Sequence, residues 1–308
     1  MQKPKLNIGL LLISEKHGYT IPRVKNLIEE KFHNKTIPIQ QHLPVNLKKL
    51  RYELISIILK TKSTSKTNSF IDCLFKKLET SDTNIYSEIN KIKEHCYSKI
   101  DNCDGVVIPG GENIEPFFYN AIVKNEIKII TSINPSSIRR TINEIFTIHR
   151  CVTKGIPLIG ICRGLQIINV YFYGTLNNVA EQNNDDLKRI SVIQQDLARF
   201  KIFGNCLNIN GLSLHEQKIH KLGHNLTVTS VDFFNDSVAK SIETKTGAPI
   251  IGLQFHPEML EPMYDGHDDI YRNHLIFEYF FKCCKIYNQK KNLHIHLARF
   301  LKEVCLNQ

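Results

Sequence analysis

A chain of 308 residues with 42 % apolar content, 15 glycines and 11 prolines can bury a substantial core, which excludes collagen-like and disordered classes. No apolar run reaches the roughly eighteen residues of a membrane-spanning helix, so no membrane partner is expected. The net charge of +10 is uneven, with 18 Lys/Arg against 9 Asp/Glu in residues 1–100 and near balance beyond. That basic third lacks interleaved aromatics and any nucleic-acid motif, so solvated helix faces explain it better than a nucleic-acid partner. The nine cysteines are odd in number, scattered and without a C-x-x-C pair, which points to a reduced, cytoplasmic protein whose cysteines are mostly small buried hydrophobes.

In chain order, Leu6–Ile13 reads as a central strand rather than the core of a signal peptide, because Glu15, Lys16 and His17 follow it. Ile21–Phe32 has helical spacing, with Thr20 as a candidate cap, and Ile37–Ile39 is a short strand. Tyr52–Leu59 fits a strand or a buried helix, and Thr61–Ser69 is polar enough for an exposed loop. Phe70–Leu78 and Ile85–Ile100 read as helices. Asp104–Ile108 is a strand running into Pro109-Gly110-Gly111, Thr141–Thr153 an amphipathic helix, Pro157–Ile161 a strand, and Leu165–Phe172 a helix. Residues 175–215 carry loops and shorter strands. Leu226–Val231, Val238–Glu243 and Pro249–Phe255 add strands, and Tyr271–Tyr287 adds a last core helix. A further helical pattern, Leu293–Val304, lies in a C-terminal extension, residues 288–308, beyond a single domain of residues 1–287. Strands alternating with helices at these intervals predict an α/β fold with a mostly parallel sheet covered on both faces.

The chemistry concentrates in two places. Cys162 stands between Gly160 and Gly164 at a strand-to-helix junction, where a helix N-terminus favours the thiolate. About ninety residues later a strand delivers His256, with Pro257 fixing the turn and Glu258 two positions on. These three predict a nucleophile, a general base that becomes the acid, and a carboxylate that orients the imidazole. Backbone N–H groups at Gly110, Gly111 and Arg163 could form an oxyanion hole. The Arg163 side chain could meet a substrate carboxylate or brace the elbow by a salt bridge. His215, His220 and His224 lie close in sequence, with His220 and His224 at an i, i+4 spacing, but the pattern is not H-E-x-x-H. No metal is expected, and without a dinucleotide or P-loop fingerprint no cofactor either.

The stretches Pro109-Gly110-Gly111, Gly160-Ile161-Cys162-Arg163-Gly164-Leu165-Gln166, Gly174-Thr175-Leu176, Ser213-Leu214-His215-Glu216-Gln217 and Gln254-Phe255-His256-Pro257-Glu258 resemble the class I glutamine amidotransferase superfamily. Within it, the chain is similar to the gamma-glutamyl-gamma-aminobutyrate hydrolase branch, peptidase family C26. The resemblance implies a flavodoxin-like three-layer sandwich and hydrolysis of a γ-glutamyl amide, through a glutamyl thioester on Cys162 and without a cofactor. It implies oxyanion N–H groups at Gly111 and Arg163, and substrate contacts at Gln166, Ser213 and His215. The chain departs from the family at Glu112-Asn113-Ile114, at Asn177-Asn178-Val179, and at Glu216, where the family has a second histidine. A negative Glu216 near the pocket would favour a cationic leaving amine. The expected partner is a small γ-glutamyl amine or peptide. Two alternatives remain, a glutaminase subunit passing ammonia to a synthetase and a hydrolase of glutamyl-modified protein. The oligomeric state is open, a homo-oligomer included.

Overall fold

The computed structural model describes residues 5–12, 20–40, 70–80, 84–119, 135–178, 187–192, 208–260 and 267–306. The expectations for Tyr52–Leu59 and Thr61–Ser69 lie outside them.

Among the described residues, eleven strands and six α-helices alternate. Strands β1 (Asn7–Leu11), β2 (Lys35–Ile39), β3 (Gly105–Ile108), β4 (Leu158–Ile161) and β11 (Ile250–Leu253) form the parallel half of a nine-stranded sheet, in the order β2-β1-β3-β4-β11. The sheet continues antiparallel through β10 (Ala239–Thr244), β9 (Leu226–Asp232), β6 (Leu187–Val192) and β7 (Asn208–Leu212). Strands β5 (Thr175–Asn178) and β8 (Gln217–Lys221) make a separate antiparallel pair. The central strands read as continuous apolar runs because both faces are covered. Their side chains alternate faces. Ile8, Leu10, Val107, Ile159, Ile161, Ile251 and Leu253 enter one core cluster, and Leu11, Val106, Ile108, Leu158 and Ile250 enter the other.

Helix α1 (Thr20–Asn26), which runs on as a π-helical turn over Leu27–Lys31, covers the first face together with α6 (His267–Leu306). Helices α2 (Phe70–Thr80), α3 (Asn84–Ile100), α4 (Pro135–Lys154) and α5 (Arg163–Tyr171) cover the second. This is the expected three-layer α/β sandwich. Cys96, Cys151 and Cys284 are fully buried within it, and burial pushes the Cys96 thiol up to about 12 and the other two well above the usual range. These three are inert core cysteines.

The two C-terminal helical patterns are one helix, α6, so the boundary at residues 287/288 falls inside a continuous element about 60 Å long. Nothing between Lys285 and Leu293 stops it, since the segment holds neither Gly nor Pro. Its first half packs Phe277, Phe280 and Cys284 on the sheet. Asn288 and Lys291 still reach Asp104, whereas Leu293, Ile295 and Leu297 are exposed. Helix α4 starts six residues before the expected Thr141, and this brings Arg140 into its buried face. Among the described residues, no helix is long and apolar enough to cross a membrane.

Candidate active site

The parallel register sets the site. Ile108 pairs with Gly160, Gly160 with Gly252, and Ile161 with Leu253, so β3, β4 and β11 end side by side. Their carboxyl ends release Gly110-Gly111, Cys162 and His256 into one crevice, the usual ligand position in open α/β sheets.

Cys162 caps α5 with φ 52° and ψ −102°, a conformation that L-residues rarely hold. The surroundings enforce it. The Cys162 N–H donates to the Leu253 carbonyl at 2.6 Å, and its own carbonyl accepts from Leu165 and Gln166 at 3.1 and 3.3 Å, which starts the helix. The flanking glycines permit the close turn, because a Cβ on Gly160 would lie 2.5 Å from the Gly164 carbonyl carbon. The thiol meets the Leu214 carbonyl at 3.4 Å, and the Gln254 amide lies 3.9 Å from Sγ.

His256 follows β11, and its N–H donates to the Leu212 carbonyl at 2.8 Å. A short 3-10 turn, Pro257–Met259, with Pro at its first position, swings Glu258 back so that Oε1 lies 2.8 Å from His256 Nδ1. Both side chains are buried. Burial opposes the imidazolium, but the Glu258 carboxylate and a hydrogen bond with Cys162 outweigh it, and the His256 pKa stands well above its ordinary value. The three predicted groups therefore come together, with the His256 imidazolium held between Glu258 and Cys162.

Arg163 is buried at 0 % exposure and faces away from the cavity. Its guanidinium pairs with Glu144 at 3.0 Å and donates to Thr141 Oγ1 and to the Glu112 and Asn113 carbonyls. Of the two roles weighed for this side chain, bracing holds, and contact with a substrate carboxylate does not. Arg140 shares Glu144 at 2.8 Å and donates to the Pro109 and Gly110 carbonyls. Burial draws its pKa down to about 10, even with Glu144 beside it. Gly111, at φ 155°, packs on this guanidinium, where a Cβ would lie 1.9 Å from Nη1.

Cys162 and His256 open into a cavity of about 620 Å³, within the range of small-molecule pockets. Gly111, Gln166 and His215 line it, as expected. Gln166 is held by a bond from Nε2 to the Gln217 carbonyl at 2.9 Å. Ser213 does not line the cavity. It is buried, and its hydroxyl accepts from Lys240 Nζ at 2.8 Å, so direct substrate contact gives way to a supporting place. Lys240 also reaches His215 Nε2 at 3.1 Å and pairs with Asp232 at 3.3 Å. The cavity wall carries Glu112, Glu115 and Glu216, with Asn113 donating to Glu216 at 2.7 Å. Burial raises the Glu115 carboxyl above its ordinary range. Among the described residues lining the cavity there is no Lys or Arg side chain. The Thr20 hydroxyl also faces it, as the first helical residue of α1, with no hydrogen-bond partner among the described residues.

His220 lies on strand β8 and bonds to Asn177, while His224 stacks near Tyr173, so their i, i+4 spacing is not helical. Among the described residues no cluster of metal-ligating groups occurs. The sequence reading missed Arg140, Glu144 and Lys240, and it gave Gln217 a place in a motif but no role. Gln217 ties the two loops of the pocket together, accepting from the Ile114 N–H at 2.8 Å and donating to its carbonyl at 3.0 Å. The one available signal was Arg140 and Glu144 at i, i+4 among the apolar positions of α4.

Comparison with known proteins gives the family and the fold. The family profile described as Peptidase C26 matches residues 83–258. A protein of Schizosaccharomyces pombe, "Putative glutamine amidotransferase PB2B2.05", is 35 % identical over 52 % of this chain, and the match spans 63 % of that relative's length. "GMP synthase [glutamine-hydrolyzing]" of Chlorobium chlorochromatii is 32 % identical over 36 % of this chain and 21 % of its own. In fold, the chain is similar to the crystal structure of a "putative gmp synthase subunit a protein" from Thermoplasma acidophilum, with a TM-score of 0.55, 15 % identity, and coverage of 94 % of this chain and 100 % of that one. The flavodoxin-like architecture is thereby shown.

Proposed function

This chain belongs to the peptidase C26 family, among the class I glutamine amidotransferase-like hydrolases, and on that premise we propose that it hydrolyses the γ-glutamyl amide bond of a small γ-glutamyl amine or peptide. The observation that carries the reading is the strained Cys162 elbow facing a His256 held by Glu258 at 2.8 Å.

The Cys162 thiolate attacks the γ-carbonyl carbon, forming a C–S bond and placing the π pair on oxygen. Backbone N–H groups of Gly111 and Arg163 hold that oxyanion. The oxyanion collapses, the C–N bond breaks, and His256 gives its proton to the departing nitrogen. His256 then takes a proton from water, whose hydroxide attacks the thioester. The C–S bond breaks, glutamate leaves, and the starting pair is restored. Gln166 and His215 border the glutamyl chain. Besides the substrate and water, these steps use only the chain's own residues.

The wall charge supports a finer reading, that the leaving amine is cationic. One carboxylate suffices for the substrate's α-ammonium, which leaves negative charge facing the amine side. Incubating the protein with γ-glutamyl-putrescine, a neutral γ-glutamyl-butylamine, γ-glutamyl peptides and glutamine, and measuring glutamate by mass spectrometry, tests both readings. Release from no member sinks the hydrolase, and preference for the neutral amine sinks the cationic one.

A second reading, a glutaminase that passes ammonia to a partner, is favoured by the names of the relatives and by the match to only 21 % of a GMP synthase. Glutamine would then be the preferred substrate, and its hydrolysis would rise when the partner is added.

A further inference from the structure

We propose that Arg140 and Arg163 are positioning residues that aim the backbone N–H groups of the Pro109–Asn113 loop at the reacting carbonyl oxygen, so that the oxyanion hole is set from beneath by a buried guanidinium pair. This rests on reading Cys162 as an acylating nucleophile.

The two guanidiniums take four carbonyls of one short loop. Arg140 Nη2 donates to Pro109 and Gly110 at 3.1 and 2.9 Å, and Arg163 Nη1 to Glu112 and Asn113 at 2.6 and 2.8 Å. In a trans peptide the carbonyl and the following N–H point in opposite directions. The N–H groups of Gly110, Gly111 and Asn113 are therefore turned away from the arginines. The fourth peptide shows the rule at work, because the Ile114 N–H points across to Gln217 Oε1 at 2.8 Å. The reacting groups lie beside this loop. A Cβ on Gly110 would stand 2.8 Å from His256 Cε1 and 3.4 Å from Cys162 Cβ, and Gly111 lines the cavity.

The arrangement also has a net charge. Arg140 and Arg163, at 5 % and 0 % exposure, both pair with Glu144, and Arg163 also faces the charge of Glu115, so two fixed cations lie under the place where negative charge develops. A lysine could replace the charge at Arg140 but not the planar fork that spans two carbonyls and a carboxylate.

The test uses the full chain, with Arg140→Lys and Arg140→Ala, the latter assayed with and without millimolar guanidinium. The readouts are kcat and KM for a γ-glutamyl amide, and the rate of Cys162 alkylation by iodoacetamide, which builds no oxyanion. The expected result is a fall in kcat of about 10²–10³-fold, the effect of losing an oxyanion donor, with KM and alkylation nearly unchanged and partial rescue by guanidinium. An unchanged kcat overturns the proposal, as does a parallel loss of kcat and alkylation without rescue. A wild-type measurement covers variants that do not fold. With glutarate semialdehyde, which has the glutamyl chain without its amino group, the thiolate adds to the aldehyde carbon and the oxygen becomes an alkoxide. The ¹⁵N–¹H resonances of Gly110 and Gly111 should move on forming this adduct, and their failure to move overturns the proposal. If they move while no γ-glutamyl amide is turned over, the placing of the loop N–H groups at the oxyanion stands and the substrate reading falls.

Discussion

Behind Cys162 the pocket wall is built from buried groups that hold one another, Arg140 and Arg163 on Glu144, His256 on Glu258, and Gln217 on Ile114. At its rim, the Glu112, Asn113 and Glu216 side chains are exposed, and Asn113 donates to Glu216 across two loops. The inner wall resembles a preorganised reaction centre, in which each polar group costs stability if its partner is lost. The rim can change residue without disturbing the fold. Chemistry and specificity are thus assigned to different walls, and substitutions in each should give separable effects.

The largest effect is expected at the thiol. Cys162→Ala should cut glutamate release by about 10⁴-fold or more while leaving the circular dichroism melt close to wild type. Next comes Glu144→Gln, which leaves two buried guanidiniums without a counter-charge. It should cost about 3–5 kcal/mol in urea unfolding, and a loss below about 1 kcal/mol would show that the clamp is not braced as described.

Glu258→Gln tests the electrostatics of the inner wall. The carboxylate raises the His256 pKa, so its neutralisation should lower it. Acylation needs the imidazolium, whose loss forms the alkaline limb of the pH profile of kcat/KM. That limb should move to lower pH, with kcat reduced about 10²-fold or more, and an unmoved limb would contradict the assigned role. The smallest effect belongs to the rim. Glu216→Gln should reduce any preference for a cationic over a neutral amine by about tenfold and change stability by less than about 0.5 kcal/mol. A large loss of stability there would erase the distinction between the walls.

The sequence carried the reacting groups because each sits in a local signature. Cys162 is marked by its glycines and by the switch from strand to helix, and His256 and Glu258 by a Pro that closes a two-residue turn. The sheet was legible for the same reason, since both of its faces are buried and its strands are short apolar runs. The clamp was hidden because its partners are distant in sequence. Arg140 lies outside the helix as the apolar period defines it, Glu144 reads as one more polar helical position, and the carbonyls that Arg140 takes belong to a loop some thirty residues earlier. Ser213 shows the converse case. A motif placed it near the substrate, but Lys240, from a strand whose pattern gave no sign of a buried lysine, holds its hydroxyl in the interior. Helix α6 was divided because its apolar pattern weakens where it leaves the sheet, although its backbone has no reason to stop.

The measurement that tests the account most directly is acid quenching of the protein during turnover of a γ-glutamyl amide, followed by peptide mass spectrometry. A glutamyl thioester is expected on Cys162, absent from Cys162→Ala and discharged by water in the unquenched reaction. Glutamate released with no acyl group ever found on Cys162, or released equally by the alanine variant, would contradict it.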